Sequence, residues 1–351
     1  MKKKTKRVVS ASLWRFAFVL VLLLAVNTSQ GTASSDRTTS PTGSPDRTSP
    51  IFIFHSDEFW LNLHHFLYVL GRSANKERDT SREAVVHAPE DQARGLAGLK
   101  PKDQQIWSEA VAAYAAGPSK KDLVFDDPLP DITITLARAG SNQLLTGVDE
   151  SIGAVLIKAA PIYRKVWWPK HRAANRAWQA SMEALVKKHG VTILAFITWA
   201  YRMEWPASGY DVHISGYSNW AGAYSTKGDL LVLASLSADL QDAYGLEIIF
   251  HEGMHQWDGQ VFQALREQAR KLNKLVPSAL SHGMIFFTAG EAVKRVYPQH
   301  VPYAYKFGVW NRGLSSARVA LEESWKPYLD GHGTRDEAFA ELIRKMGTTR
   351  Q

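Results

Sequence analysis

The sequence contains no cysteine. This absence excludes disulfide bonds, thiolate metal ligands and cysteine nucleophiles, so any bound metal must be held by His, Asp or Glu side chains. A chain of 351 residues is long enough to bury a hydrophobic core without covalent cross-links. The lack of cysteine is therefore compatible with an exported protein.

Excess charge is nearly absent beyond the N-terminus. The formal net charge is +8, but residues 1–33 hold six basic residues and no acidic one, and removing those six leaves +2. A chain so close to neutrality gives no electrostatic reason to expect nucleic acid as a partner. The overall composition, with 45% hydrophobic and 22% charged residues, is typical of a globular protein.

Long apolar runs are scarce as well. Residues 16–26 form an apolar run that follows a basic segment and precedes small residues at 31–33. This order predicts a signal peptide over 1–33, because the run is too short to span a membrane comfortably. We expect a secreted or periplasmic protein with no stable membrane span after cleavage. An uncleaved anchor that includes Leu13 and Trp14 is the alternative.

The remaining chain divides into three predicted segments. Residues 34–50 are rich in Ser, Thr and Pro and have too little apolar surface to fold, which predicts a disordered linker. Residues 51–190 show mainly helical periodicity, and 191–351 form a second region. Within the second region, 210–226 and 230–233 are typical of two strands joined by a turn, before the periodicity becomes helical again. We predict an α+β, predominantly helical fold with a small antiparallel sheet.

The segment His251-Glu252-Gly253-Met254-His255 carries the clearest chemistry. On a helix, the four-residue spacing stacks two imidazoles on one face, about 6 Å apart at Cβ, where both can bind one zinc ion. Glu252 follows the first ligand directly and can take a proton from a zinc-activated water. The flanking residues are apolar, so the histidines are expected to be buried and to need partners. Satisfied core histidines are the structural alternative.

This segment resembles the active-site helix of the zincin metallopeptidases. The preceding residues Asn219, Trp220 and Ala221 are similar to the edge segment on which zincins pair the substrate backbone. The resemblance covers about 210–305 and implies a zincin-like catalytic core, with zinc as cofactor and a peptide or protein as substrate.

A third zinc ligand is required if one coordination position is to remain for water. The metzincin pattern would place a histidine at position 261, which is Val261, so that subclass is excluded. The gluzincin pattern has a glutamate on a following helix, and Glu291 resembles that ligand. Glu291 falls at helical spacing from Met284, Phe287 and Thr288, on a stripe otherwise suited to burial, and an inward carboxylate needs a cation. We predict Glu291 as the third ligand.

Two further residues are predicted to lie close to the zinc ligands without binding the metal themselves. His282 lies about 180° around the same helix from Glu291, so it is interpreted as an outer residue or a core histidine, with a ligand role as the alternative. Asp258, three residues after His255, is expected to accept a hydrogen bond from a ligand imidazole, or to lie on the helix surface.

The residue that stabilises the oxyanion stays open at this stage. Tyr303 and Tyr305 are the catalytic candidates that we carry forward, with three alternatives: His300, His213 and Tyr224. The pair His64-His65 on the first helix either lines the cleft or packs in the core. The 12 tryptophans favour core packing over a carbohydrate-binding surface.

The sequence therefore predicts an exported zinc hydrolase, a metallopeptidase in which Glu252 is the general base. A cell-envelope binding protein with a structural or vestigial metal site is the alternative from another class. A membrane-tethered partner of an envelope complex is a third, and it depends on retention of the N-terminal segment.

Overall fold

The computed structural model describes residues 49–76, 87–140, 147–226, 230–312 and 314–349. The predicted signal peptide and nearly all of the predicted linker lie outside these ranges. In the part of the chain that is described, no helix combines the length and apolar character that crossing a bilayer requires.

The first half of the described chain is helical after one short strand, as the periodicity predicts. The elements are β1 (Phe52–His55), α1 (Phe59–Ala74), α2 (Ala88–Leu96), α3 (Pro101–Ala116), α4 (Leu129–Arg138), α5 (Glu150–Val166) and α6 (Trp168–Tyr201). The predicted division at residue 190 falls inside α6, and β1 joins the sheet of the second region. All described residues belong to one compact unit.

The sheet contains three further strands, which are β2 (Tyr210–Ser215), β3 (Ala223–Thr226) and β4 (Leu230–Ala234). Their order is β1-β2-β4-β3; β1, β2 and β4 run parallel, and only β3 is antiparallel, to β4. The prediction of an antiparallel sheet is thus correct for the β3–β4 hairpin and wrong for the rest. Helices connect β1 to β2, and such crossovers allow strands to run in the same direction.

The chain after the sheet, from Asp242 onward, is helical apart from two short paired strands. It comprises α7 (Asp242–Met254), a 3₁₀ turn (His255–Trp257), α8 (Asp258–Lys271), β5 (Lys274–Leu275), α9 (Leu280–Lys294), α10 (Tyr303–Lys306), α11 (Ser315–Ala320), a π-helical turn (Leu321–Trp325), α12 (Lys326–Leu329), α13 (Arg335–Met346) and β6 (Thr348–Thr349). The α+β, predominantly helical fold class is confirmed.

Two hydrophobic cores lie on opposite faces of the sheet. Alternate side chains of a strand point to opposite faces, and β4 shows this directly: Leu231 and Leu233 pack in the core with α7, whereas Leu230 and Val232 pack in the core with α1. Helices α1 to α5 cover one face, and α6 together with the helices after the sheet covers the other. Most of the tryptophans are buried in these cores, as the packing interpretation predicts.

Two buried asparagines join the sheet to the helices. The side-chain oxygen Oδ1 of Asn62 accepts hydrogen bonds from the backbone N–H of Gly216 at 2.8 Å and from the side-chain amide of Asn175 at 3.0 Å. The Asn62 and Asn175 amides both donate to the Ile214 carbonyl, and the Ser235 hydroxyl donates to Asn175 at 2.6 Å. The pair therefore ties α1 and α6 to the ends of β2 and β4.

We predict that Asn62→Ala lowers the free energy of unfolding by about 2 kcal/mol, because it leaves the buried Gly216 N–H without a partner. Urea unfolding monitored by circular dichroism measures this change. Gln179→Ala, which removes only a bond to Glu183 on the surface, should change the free energy by less than about 0.5 kcal/mol. Equal effects of the two substitutions would contradict a structural role for Asn62.

Candidate metal centre

Helix α7 carries the motif. It contains no proline between Asp242 and Met254, and the residues from Gly245 to Met254 are buried. Gly253 is required for close packing, because a Cβ atom there would lie 2.3 Å from the Trp205 ring. The glycine thus lets α7 approach Trp205 closely, and the chain continues through the 3₁₀ turn that carries His255.

Helix α9 packs antiparallel against α7. The His282 and His255 rings are 5.0 Å apart, and the Phe286 and His251 rings are 3.9 Å apart. One turn further on, a Cβ atom at Gly290 would lie 3.2 Å from Glu247. Residues one helical turn further along α9 therefore contact residues one turn earlier in α7. This register places His282 opposite His255, at the end of the motif.

His251, His255 and His282 form a cluster that can hold a metal ion. Their ligand nitrogens all lie within 4.8 Å of one another, and the two Nε2 atoms of His251 and His255 are 3.0 Å apart. Two nitrogens bound tetrahedrally to zinc at 2.0–2.1 Å are roughly 3.3 Å apart. The three imidazoles are therefore close enough to bind one ion, and three protein ligands leave one coordination position.

The histidines are set up to supply lone pairs. Burial, together with the charge of His255, lowers the pKa of His282 to about 3, and burial also holds the pKa of His251 well below its usual value. Neutral imidazole is the form that binds a metal. Burial works against protonation of His255 too, but the hydrogen bond and charge of Asp258 outweigh it and raise the pKa of His255.

Asp258 orients His255 as predicted. Its carboxylate lies 2.7 Å from Nδ1 of that imidazole. A carboxylate in this position holds the proton on Nδ1 and leaves the Nε2 lone pair free, toward His251. The tautomer of His255 thus suits metal binding through Nε2.

Glu252 is buried between α7 and β3. Burial raises the pKa of its carboxyl group, while the charge of His255 and the neighbouring polar groups of Ser225 oppose that rise. Its Oε2 atom is buried without a hydrogen-bond partner. The sequence offered no signal for Ser225, because strand pairing and the packing of β3 on α7 bring it there.

Glu291, the predicted third ligand, is engaged elsewhere. Its carboxylate pairs with Lys294 at 3.0 Å and with Lys326 at 3.6 Å. The apolar stripe that includes Thr288 is buried as predicted, but Thr288 contacts Tyr201 and Trp325 rather than α7. The opposite face of α9 meets the motif, so His282 replaces Glu291 in the ligand cluster, and the interpretation of His282 as an outer residue is corrected.

The loop that holds Tyr303 is anchored beneath the cluster. The Glu247 carboxylate, one turn before His251, accepts a hydrogen bond from the Tyr303 N–H and lies 2.6 Å from Nε2 of His300. The Tyr303 ring stacks on Phe286 at 6.4 Å, and its hydroxyl donates to Asp239. Tyr303 is therefore linked to the cluster through Phe286, whereas Tyr305 donates to Glu322 instead.

The predicted substrate-binding segment forms the turn before β3. The Asn219 side chain accepts a hydrogen bond from the Ala221 N–H at 2.9 Å, and its carbonyl accepts one from Gly222. Asn219 is buried, while Trp220 and Ala221 are partly exposed. Asn219 thus shapes the turn that leads into the edge strand.

The other candidate residues lie on the α1 face of the sheet. The His65 ring meets the Tyr224 hydroxyl at 2.7 Å, and the His64 ring meets the Tyr114 hydroxyl at 2.8 Å. Both histidines are fully buried, so neither lines a cleft. His213 pairs with Glu58 at 2.6 Å. Tyr224 and His213 consequently lie across the sheet from α7.

Comparisons with known proteins found no match to this chain among family models, curated proteins or solved structures. The interpretation of the site depends on its geometry and its chemistry.

We predict that His282→Ala reduces bound zinc from about one equivalent to well below 0.2, because two imidazoles alone hold the ion weakly. Glu291→Ala should retain about one equivalent. Both proteins would be incubated with zinc, desalted and measured by elemental analysis. Loss of zinc from Glu291→Ala, with retention in His282→Ala, would show that the ligand set is the reverse of the one described.

Proposed function

We propose that the protein is a zinc-dependent hydrolase and that its reaction is the cleavage of peptide bonds. The observation that carries the proposal is the combination of three clustered imidazoles with the buried Glu252 carboxylate beside the first of them. Three protein ligands with an adjacent carboxylate are typical of catalytic zinc sites, whereas structural zinc sites are usually closed by four protein ligands.

The chain's own residues supply the proton transfers. A zinc ion held by His251, His255 and His282 would acidify a water molecule and polarise the substrate carbonyl. Glu252 takes the proton of the attacking water and passes it to the leaving amine. Burial suits this role, because it raises the pKa of the Glu252 carboxyl group and so makes the carboxylate a stronger base toward the attacking water.

Peptide is the substrate class that the surroundings favour. The β3 strand is at the edge of the sheet and packs on α7, next to Glu252. An edge strand can pair with an extended peptide, and this arrangement agrees with the resemblance of the segment to zincins. With the predicted signal peptide, the proposal is an exported metallopeptidase.

Glu252→Gln should reduce peptide hydrolysis by a factor of about 100 or more while zinc content stays near one equivalent, because the amide cannot accept the proton. The assay is cleavage of a diverse peptide library, analysed by mass spectrometry. Glu291→Gln is the matched control: it makes the same exchange at a carboxylate paired with lysines, and it should keep wild-type activity.

The results also distinguish a binding protein with a structural metal. Such a protein would hold zinc and cleave no library peptide, and the Glu252→Gln substitution would leave its properties unchanged. That outcome would contradict the proposed hydrolase.

A further inference from the structure

A row of aromatic rings begins at the histidine cluster. The ring centroid of Phe286 lies 3.9 Å from that of His251 and 4.9 Å from that of His282, so this side chain contacts two candidate ligands. The Tyr303 ring stacks on Phe286 with centroids 6.4 Å apart, and the Phe307 ring lies 4.5 Å from Tyr303. The row therefore leads away from the cluster over α9 and α10.

The row returns to α7 at Tyr244. The Tyr244 ring lies 5.1 Å from Phe307 and 6.4 Å from Tyr303, between ring centroids. Tyr244 and His251 are two helical turns apart in sequence and share one face of α7. Four rings thus form one continuous group, which we call the aromatic surface: Phe286, Tyr303, Phe307 and Tyr244.

The protein covers the aromatic surface only in part. Phe286, Phe307 and Tyr244 are partly exposed, and so are the candidate ligands His255 and His282. Binding sites for small groups are lined mainly by apolar and aromatic side chains around a few polar ones. The contacts among the rings also hold them in place, which reduces the entropy that is lost when a ligand binds.

We propose that the aromatic surface binds an aromatic side chain of the substrate, beside the peptide bond that is cleaved. This inference rests on the proposed function, which places the scissile carbonyl at the metal, next to Phe286. Contacts between aromatic rings stabilise a complex beyond the area that they bury, so phenylalanine is favoured over alanine at this position. Strand β3 would pair with the backbone of the peptide and the aromatic surface would bind a side chain, so the two contacts are compatible.

Phe307 is the residue that tests the proposal with least disturbance of the metal. Its ring is separated from the histidines by the rings of Tyr303 and Phe286, so Phe307→Ala shortens the aromatic surface and should leave zinc near one equivalent. Tyr244→Ala provides a second variant at the same end. The matched control is Phe125→Ala, which makes the same exchange at a side chain that is 68% exposed in the first half of the chain.

The first measurement compares two peptides from the cleaved set that differ only in having phenylalanine or alanine beside the scissile bond. The wild type should have the higher kcat/KM for the phenylalanine peptide. Phe307→Ala should lower that preference about tenfold, with little change for the alanine peptide, and Tyr244→Ala should act in the same direction. Phe125→Ala should keep the wild-type preference.

The second measurement needs no hydrolysis. Acetohydroxamate and a hydroxamate that carries a benzyl group are titrated into the cobalt-loaded protein, and binding is followed by visible absorption. The benzyl compound should bind more tightly to the wild type and to Phe125→Ala. Phe307→Ala should reduce its advantage by a factor similar to that in kcat/KM.

The outcomes separate this inference from the proposed function. If peptides are cleaved but the wild type does not prefer phenylalanine, or if Phe307→Ala and Tyr244→Ala both keep the preference, the aromatic surface is not a substrate site and the hydrolase proposal stands. If no peptide is cleaved but the benzyl hydroxamate binds more tightly and Phe307→Ala removes its advantage, the hydrolase proposal fails and the binding site is supported. If neither hydroxamate binds and no peptide is cleaved, both are contradicted.

Discussion

The antiparallel packing of α9 on α7 is the contact on which the candidate metal centre depends. It sets His282 against His255, Phe286 against His251 and Gly290 against Glu247. A shift of one residue along α9 would rotate His282 by about 100° and remove it from the cluster. The absence of a side chain at Gly290 leaves room for Pro302 and for the Glu247 carboxylate, and Phe286 packs against the His251 and His282 imidazoles.

Several contacts around this packing keep the ligands in place. Asp258 orients His255 from the start of α8, and Glu247 ties α7 to the loop before α10 through His300 and the Tyr303 N–H. Glu247 is fully buried, and its partners are the donors that a buried carboxylate requires. Strand β3 packs on α7 beside Glu252, so the sheet borders the proposed base while helices hold the candidate metal ligands.

The local part of the site could be predicted from the sequence, because it lies within a single helical segment. The spacing of His251 and His255, the neighbouring Glu252 and the acceptor Asp258 all follow from helical geometry. The partner of that segment could not be predicted in this way. Both His282 and Glu291 lie on α9, and the apolar stripe beside Glu291 correctly indicated burial. It could not reveal that this face meets Tyr201 and Trp325, nor that Lys326 would reach the carboxylate.

The fold, like the site, could be predicted from the sequence only where its features are local. Helical periodicity and the β3–β4 hairpin are local and could be predicted, whereas β1 has four residues and pairs with β2 across more than 150 residues of chain. Strand direction depends on that distant pairing. The placement of β3 beside Glu252 likewise depends on how the sheet packs against α7, which no local pattern encodes.

The identity of the third ligand is the central claim, and X-ray absorption spectroscopy of the zinc-loaded protein tests it most directly. The account predicts that the extended fine structure at the zinc K-edge fits three imidazole nitrogens and one oxygen, each at about 2.0–2.1 Å. The spectrum of His282→Ala should lack one imidazole. A spectrum with two imidazoles and a carboxylate, unchanged by His282→Ala, would contradict it.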